Sequence, residues 1–333
     1  MPAKIPPLPN LLDCADLTPQ LVVSLFDRAQ HWLGSWGQPL ATTASLTSPT
    51  VARPRPLAGL VQHNLFFESS TRTSVSFDQA GKLLGSSVSA VNMAASSLSK
   101  GESLYDTLMT LAAMRPQLVV IRHAASGAAS FAAQHLPHAA VINAGDGRHG
   151  HPTQALLDAF TIQQNKGALT NLSVAIVGDI LHSRVARSNL YLLQMLGAQV
   201  RLVAPPQLLP AGVEQLGASV HHDLASGLAD VDVVMVLRMQ EERMGGSFVA
   251  SRADYFAGYG LTHQRLAVAK PDAIVLHPGP FLRDVDIASE LADDPARSVI
   301  LAQVEHGVAI RMAVLECCAL SRGWIAPGCP PKT

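Results

Sequence analysis

Four consecutive residues, Ser70-Thr71-Arg72-Thr73, place hydroxyls and a guanidinium one residue after the apolar run LAGLVQHNLFFE. If a helix starts there, its first amides have no intrahelical acceptor. With the hydroxyls and Arg72 they make a compact site for a phosphate group. The same run also suits plain N-capping beside a solvated arginine, so the segment by itself leaves both readings open. Farther along, His149 and His151 form an H-x-H pair in NAGDGRHGHPTQALLD. Two imidazoles without nearby cysteine or further acids are a poor metal site, and no metal is expected. A neutral imidazole suffices to donate to an oxygen that gains negative charge. Ser96 and Lys100 stand in SSLSKGESLYDT, which by composition reads as a solvated loop.

Together, FFESSTRT, SSLSKGESLYDT, VIRHAASGAA and NAGDGRHGHPTQALLD resemble, in order and approximate spacing, the carbamoyl-phosphate segments of the carbamoyltransferases. One departure is Ser74, where many relatives place another arginine; the four signature residues are intact. The resemblance implies that Ser70, Thr71, Arg72 and Thr73 bind the phosphate and that Arg122 contacts both phosphate and carbamoyl carbonyl. It further implies that Thr73 and His151 donate to that carbonyl oxygen and that Gln154 holds the carbamoyl amide. Arg72, Thr73, Arg122 and His151 are therefore the expected catalytic set. Donors placed in advance where charge develops stabilise the transition state more than the ground state. The loop with Ser96 and Lys100 is implied to reach into the site of a neighbouring subunit.

This signature is shared with ornithine enzymes and leaves the amine acceptor open. In VGDILHSRVARS, Arg184 follows the strand-ending Gly178-Asp179, and VDVVMVLRMQEERM places Arg238 and Gln240 at the end of another strand. Both segments are similar to those of aspartate carbamoyltransferases, whose arginines hold the two substrate carboxylates; a dicarboxylate calls for paired cations with directional donors. Lys100, Arg184, Arg238 and Gln240 are the implied aspartate ligands. Ornithine enzymes carry a cysteine-containing segment where this chain has His277-Pro278-Gly279-Pro280, and a Ser-Met-Gly motif absent from this sequence. The turn's carbonyls are expected to face the incoming amine, with Gly279 and Pro280 beside carbamoyl phosphate and Arg283 close by.

The resemblance covers nearly the whole chain. It implies transfer of the carbamoyl group from carbamoyl phosphate to L-aspartate, an early step of pyrimidine biosynthesis. The expected route is direct attack by the neutral amine, without cofactor or covalent enzyme intermediate. It also implies a homotrimer, or a higher assembly of trimers, with each site shared by two chains. The extended N-terminal lead and VAIVGDILHSRVARS are similar to the pseudomonad type, which implies a dihydroorotase-like partner chain. Three rival readings remain. One is a carbamoyltransferase for ornithine or another amino acid. A second is a non-catalytic carbamoyl-phosphate-binding subunit, against which Arg72, Arg122, His151, Arg184 and Arg238 together argue. The third is a nicotinamide-dependent oxidoreductase, suggested by VAIVGD, although DILHSR after Gly178 lacks the GxGxxG of a dinucleotide site.

The elements that must position these residues alternate between short apolar runs and helical patterns. That alternation indicates an α/β fold of two domains, each a parallel sheet flanked by helices, with a cleft between them. Ligands then belong at the C-terminal edges of the strands. The expected division is 1–152 for carbamoyl phosphate, completed by a C-terminal helix at 307–333 that packs back on it, and 153–306 for aspartate. An amphipathic helix is expected from Thr18-Pro19 to near Gly34, followed by an extended Ser/Thr/Pro-rich loop.

A chain of 333 residues, 48% hydrophobic and 15% charged, can bury a substantial core. Its net charge of -1 supplies no basic field for nucleic acid or an anionic membrane, so any anion site must be built locally. The four cysteines form no CxxC pair, and no stretch reaches the roughly 20 apolar residues that span a bilayer. A cytoplasmic, unprocessed protein is expected.

Overall fold

The computed structural model describes residues 6–36, 54–92, 101–240 and 251–326. Ser96, Lys100 and most of the Ser/Thr/Pro-rich stretch lie outside the described residues. The chain forms two compact units, Met1–Gly147 with His306–Thr333, and Arg148–Glu305.

In the first unit the order is α1 (Pro19–Trp36), β1 (Val61–Phe66), α2 (Thr71–Leu84), β2 (Ser87–Asn92), α3 (Leu104–Ala112), β3 (Leu118–His123), α4 (Ala128–His135) and β4 (Ala140–Asp146). The four strands form a parallel sheet in the order β2-β1-β3-β4. Val119, Ile121 and Val141 are buried with Leu108, Ala129, Ala132 and Leu136 of the flanking helices, which is why these strands read as continuous apolar runs. Helix α2 buries Thr73, Phe77, Ala80 and Leu84, one stripe at helical spacing, and ends at Gly85 in the left-handed region.

The second unit opens with α5 (Pro152–Lys166) and continues through β5 (Ser173–Val177), α6 (Arg184–Met195), β6 (Gln199–Val203), β7 (Ser219–His221), α7 (Leu224–Leu228) and β8 (Val233–Val236). It closes with α8 (Arg252–Tyr259), α9 (His263–Leu266), β9 (Ile274–Leu276) and α10 (Ser289–Ala292). Its strands are also parallel, in the order β7-β6-β5-β8-β9. Because the strands of each sheet run one way, every loop that follows a strand emerges at the same edge.

The last helix, α11 (Ile300–Ser321), begins in the second unit and runs into the first. There, Trp32 Nε1 of α1 donates to Glu316 Oε2 at 2.9 Å and Arg28 Nη2 lies 3.2 Å from Glu316 Oε1. The C-terminal helix thus packs on the first domain, as its apolar spacing implied. Among the described residues no helix is long and apolar enough to cross a membrane.

Candidate active site

The start of α2 has the form expected of an anion site. Ser70 is its N-cap, with extended backbone at φ -162°, and its hydroxyl makes no capping bond. The first helical bond of that turn runs from the Ser74 N–H to the Ser70 carbonyl at 3.1 Å, so the amides of Thr71, Arg72 and Thr73 precede the ladder. Thr71 and Arg72 are exposed while Thr73 is buried, its carbonyl accepting from Ser76 Oγ at 3.1 Å.

On the neighbouring strand, Arg122 falls where the register between β3 and β4 slips, between Ile121 paired with Asn143 and His123 paired with Asp146. A bulge of this kind re-aims the side chain beside it. Arg122 Nη1 donates to the Ala144 carbonyl at 3.2 Å and Nε lies 3.4 Å from Glu68 Oε2. The Phe67 N–H donates to the Arg122 carbonyl at 2.9 Å, joining the ends of β1 and β3. The first unit therefore gathers Ser70–Thr73, Glu68 and Arg122 at one sheet edge. Nearby, burial lowers the His123 imidazole pKa, which favours its neutral form.

His151 is the N-cap of α5, followed by Pro152 at the first helical position, where a missing N–H costs nothing. It is buried, and its backbone N–H donates to Ser188 Oγ on α6 at 2.9 Å. One turn into α5, Gln154 Nε2 donates to Asp158 Oδ1 at 2.9 Å. Asp158, with no exposed surface, also accepts from Asn189 Nδ2 at 2.8 Å and from Gln303 Nε2 at 2.7 Å. Gln303 Oε1 in turn accepts the backbone N–H of His277 at 2.8 Å. His277 Nδ1 accepts the Gly279 N–H at 2.9 Å, and the Gly279-Pro280 peptide bond is cis. His151, Gln154 and the HPGP turn thus belong to one connected set.

The arginine-bearing strand ends form a second set around Asp179. Its Oδ1 accepts the His182 N–H at 3.1 Å and lies 2.9 Å from His182 Nδ1, and its Oδ2 accepts the Gln240 N–H at 3.2 Å. Arg184 opens α6, capped by Ser183, and is buried; Arg238 follows β8 and is half-buried. The next residue, Met239, donates its N–H to Asp286 Oδ1 at 3.2 Å. Gly178, at φ +120°, lets these ends meet: a Cβ there would sit 2.8 Å from the Leu237 carbonyl oxygen and 3.0 Å from the Tyr255 hydroxyl. Burial, aided by the charges of Asp286 and Asp179, raises the Tyr255 pKa far above its ordinary value.

Of the expected site residues, only Ser96 and Lys100 fall outside the described ones. Arg283 is engaged by Asp293, whose oxygens lie 2.6 and 2.7 Å from its two terminal nitrogens. Sequence reasoning passed over Asp158, Asn189, Gln303, His182 and Asp286. The signal for Asp158 was present, since an acid four residues after Gln154 shares its face of the helix, and every residue from Pro152 to Ile162 is buried. Among the described residues no group of three or more His, Cys, Asp or Glu is arranged to hold a metal ion.

Two family models match the chain. Residues 9–164 match the carbamoyl-P binding domain, and residues 170–318 the Asp/Orn binding domain, of aspartate/ornithine carbamoyltransferase. Among curated relatives, the aspartate carbamoyltransferase catalytic subunit of Maricaulis maris is 55% identical over 307 residues, covering 92% of each chain. That of Rhizobium meliloti is 54% identical over 313 residues, covering 94% of this chain and 96% of the relative. Among solved structures, Trypanosoma cruzi aspartate transcarbamoylase in complex with N-(phosphonacetyl)-L-aspartic acid superposes with a TM-score of 0.79 at 28% identity. The match covers 94% of this chain and 98% of that one. The same enzyme with carbamoyl phosphate and aspartate gives 0.78 at 29% identity, with the same coverage.

Proposed function

The chain belongs to the aspartate/ornithine carbamoyltransferase family and is a carbamoyltransferase that uses aspartate as acceptor; from that premise we propose how its residues divide the reaction. The hydroxyls of Ser70, Thr71 and Thr73 and the backbone amides of the first turn of α2, with the Arg72 guanidinium, take the phosphate of carbamoyl phosphate. Arg122, aimed by the β3–β4 bulge and by Glu68, reaches phosphate and carbonyl together. Thr73 and His151 donate to the carbonyl oxygen, Gln154 accepts from the carbamoyl NH2 group, and Gly279 and Pro280 line the same ligand.

The aspartate carboxylates go to Arg184 and Arg238, with Gln240 and Lys100 completing their coordination. The neutral amine attacks the carbonyl carbon and the C–N bond forms. The electron pair displaced to oxygen returns as the C–O bond to phosphate breaks, and the amine proton leaves to base. Holding both reactants in register supplies much of the rate, and the donors on the oxygen supply the rest. We place the active protein in the cytoplasm as a homotrimer or an assembly of trimers. Lys100 and Ser96 act there in a neighbouring chain's site, and a dihydroorotase-like chain is a candidate companion.

The observation that carries the choice of aspartate is the pair of arginines, Arg184 and Arg238, at the ends of adjacent strand connections that share Asp179 and Gln240. Two fixed guanidinium groups suit two carboxylates and repel the ammonium of ornithine. Assays with carbamoyl phosphate and either amino acid in parallel test this. Carbamoylated aspartate should form, and ornithine turnover should be negligible; equal or better turnover with ornithine overturns the assignment.

A further inference from the structure

Gln154 has an amide that can face a ligand in two ways, offering either its carbonyl oxygen or its NH2. A carbamoyl NH2 group is itself a donor, so only the first orientation can hold it. The connected set around Asp158 decides between them. A backbone N–H can only donate, so the bond from His277 N–H fixes Gln303 with Oε1 toward His277 and Nε2 toward Asp158. Asp158 Oδ1 is thereby an acceptor at that contact, 2.7 Å from Gln303 Nε2, and the same oxygen lies 2.9 Å from the Gln154 amide. The other oxygen, Oδ2, accepts from Asn189 Nδ2 at 2.8 Å. Gln303 and Asn189, whose Nδ2 also donates to the Val185 carbonyl at 3.1 Å, both donate to this buried carboxylate, so a Gln154 carbonyl oxygen turned toward it would meet like partial charge.

We propose that Asp158 is a positioning residue that sets the direction of the Gln154 amide, so that Gln154 presents its carbonyl oxygen to the NH2 group of carbamoyl phosphate. Asp158 does so from the next turn of α5, without touching the substrate. The proposal rests on the reading above that Gln154 holds the carbamoyl amide, and it adds a specificity element to that reading. An acyl phosphate with a methyl group in place of NH2 gains nothing from the Gln154 oxygen.

The test compares binding of carbamoyl phosphate with that of acetyl phosphate, its methyl counterpart, in wild-type protein, Asp158→Asn and Gln154→Met. Asparagine can offer NH2 to Gln154 and so admits the flipped amide. The preference for carbamoyl over acetyl phosphate should fall about tenfold in Asp158→Asn, the scale of one hydrogen bond lost to a buried partner. Gln154→Met should lower it to a similar extent. A general loosening of the fold would weaken both ligands together and leave their ratio unchanged, an outcome that overturns the proposal. If Gln154→Met lowers the ratio while folded Asp158→Asn keeps it, Asp158 does not set the amide. An unchanged ratio in Gln154→Met instead removes Gln154 from the carbamoyl site, and the proposal with it. A neutron crystal structure of the wild-type protein needs no variant to fold. It should show two deuterons on the Gln154 atom facing Asp158; an oxygen there, with a deuteron on Asp158, overturns the proposal.

Discussion

Arg122 Nε lies 3.4 Å from the carboxylate of Glu68, on the connection that leads from β1 into the start of α2. The pair joins two strand ends that are far apart in sequence, and Nη1 of the same guanidinium donates to the Ala144 carbonyl at 3.2 Å. Both of these contacts of the Arg122 fork are thus with groups of the same sheet edge.

Arg122→Lys keeps the charge and loses that planar fork. The kcat/KM for carbamoyl phosphate should fall by about 10²-fold, the scale of a group misplaced by about an ångström. Steady-state kinetics would check it, and a value close to wild type would show that charge alone suffices.

For His151→Ala, turnover should drop about 10²–10³-fold, as for other lost oxyanion donors, while phosphate binds nearly as before. The imidazole matters most when charge has moved onto the carbonyl oxygen. Single-turnover rates with a parallel phosphate titration separate the two effects; an unchanged rate removes His151 from the mechanism.

Arg238→Ala should raise the aspartate KM at least about tenfold, as expected for loss of a charge-assisted contact, and leave carbamoyl-phosphate affinity nearly intact. Calorimetric titration of each ligand distinguishes this from a general loss. Weakened carbamoyl-phosphate binding instead would place Arg238 at the other ligand.

Burial lowers the imidazole pKa of both His63 and His306 from 6.5. As pH falls through that value the unfolded chain gains protons that the folded chain does not, so acidification destabilises the fold and raising the pH restores it. The buried Glu316 carboxyl, raised mainly by its burial, acts in the opposite sense. A difference measurement isolates the histidine. Thermal unfolding of wild type and His306→Asn between about pH 8 and about pH 5 should show a shallower decline for the variant. Parallel curves would mean that His306 protonates equally in both states.

Shared sites in a trimer predict complementation between Lys100→Ala and Arg72→Ala, each nearly inactive alone. Random mixing of equal amounts leaves about a quarter of the sites with both residues intact under cyclic symmetry. About a quarter of wild-type activity should then return. Mass-confirmed subunit exchange without recovered activity would confine Lys100 to its own chain or remove it from the site.

Much of the local structure could be read directly. Hydrophobic period and punctuation marked α1, the strand-to-helix passage through Ser70–Thr73, and the apolar strands that carry or lead to Arg122, Gly178 and Arg238, because these signals depend on neighbours a few residues apart. The motifs likewise carry the residue types that phosphate and carboxylate ligands require, since hydroxyls, amides and guanidinium groups are visible in the chain.

Other features required the fold. The bulge that aims Arg122 arises from the pairing of β3 with β4, and periodicity along either strand contains no record of the other's register. Asp158 is the single acid of a largely buried helix until Asn189, 31 residues away, and Gln303, 145 residues away, bring their amides to it. Residue types and local spacing determined which chemistry the chain carries. Tertiary structure decided the direction of each donor and acceptor, because buried polar groups are satisfied by partners that only the folded chain brings within hydrogen-bonding distance.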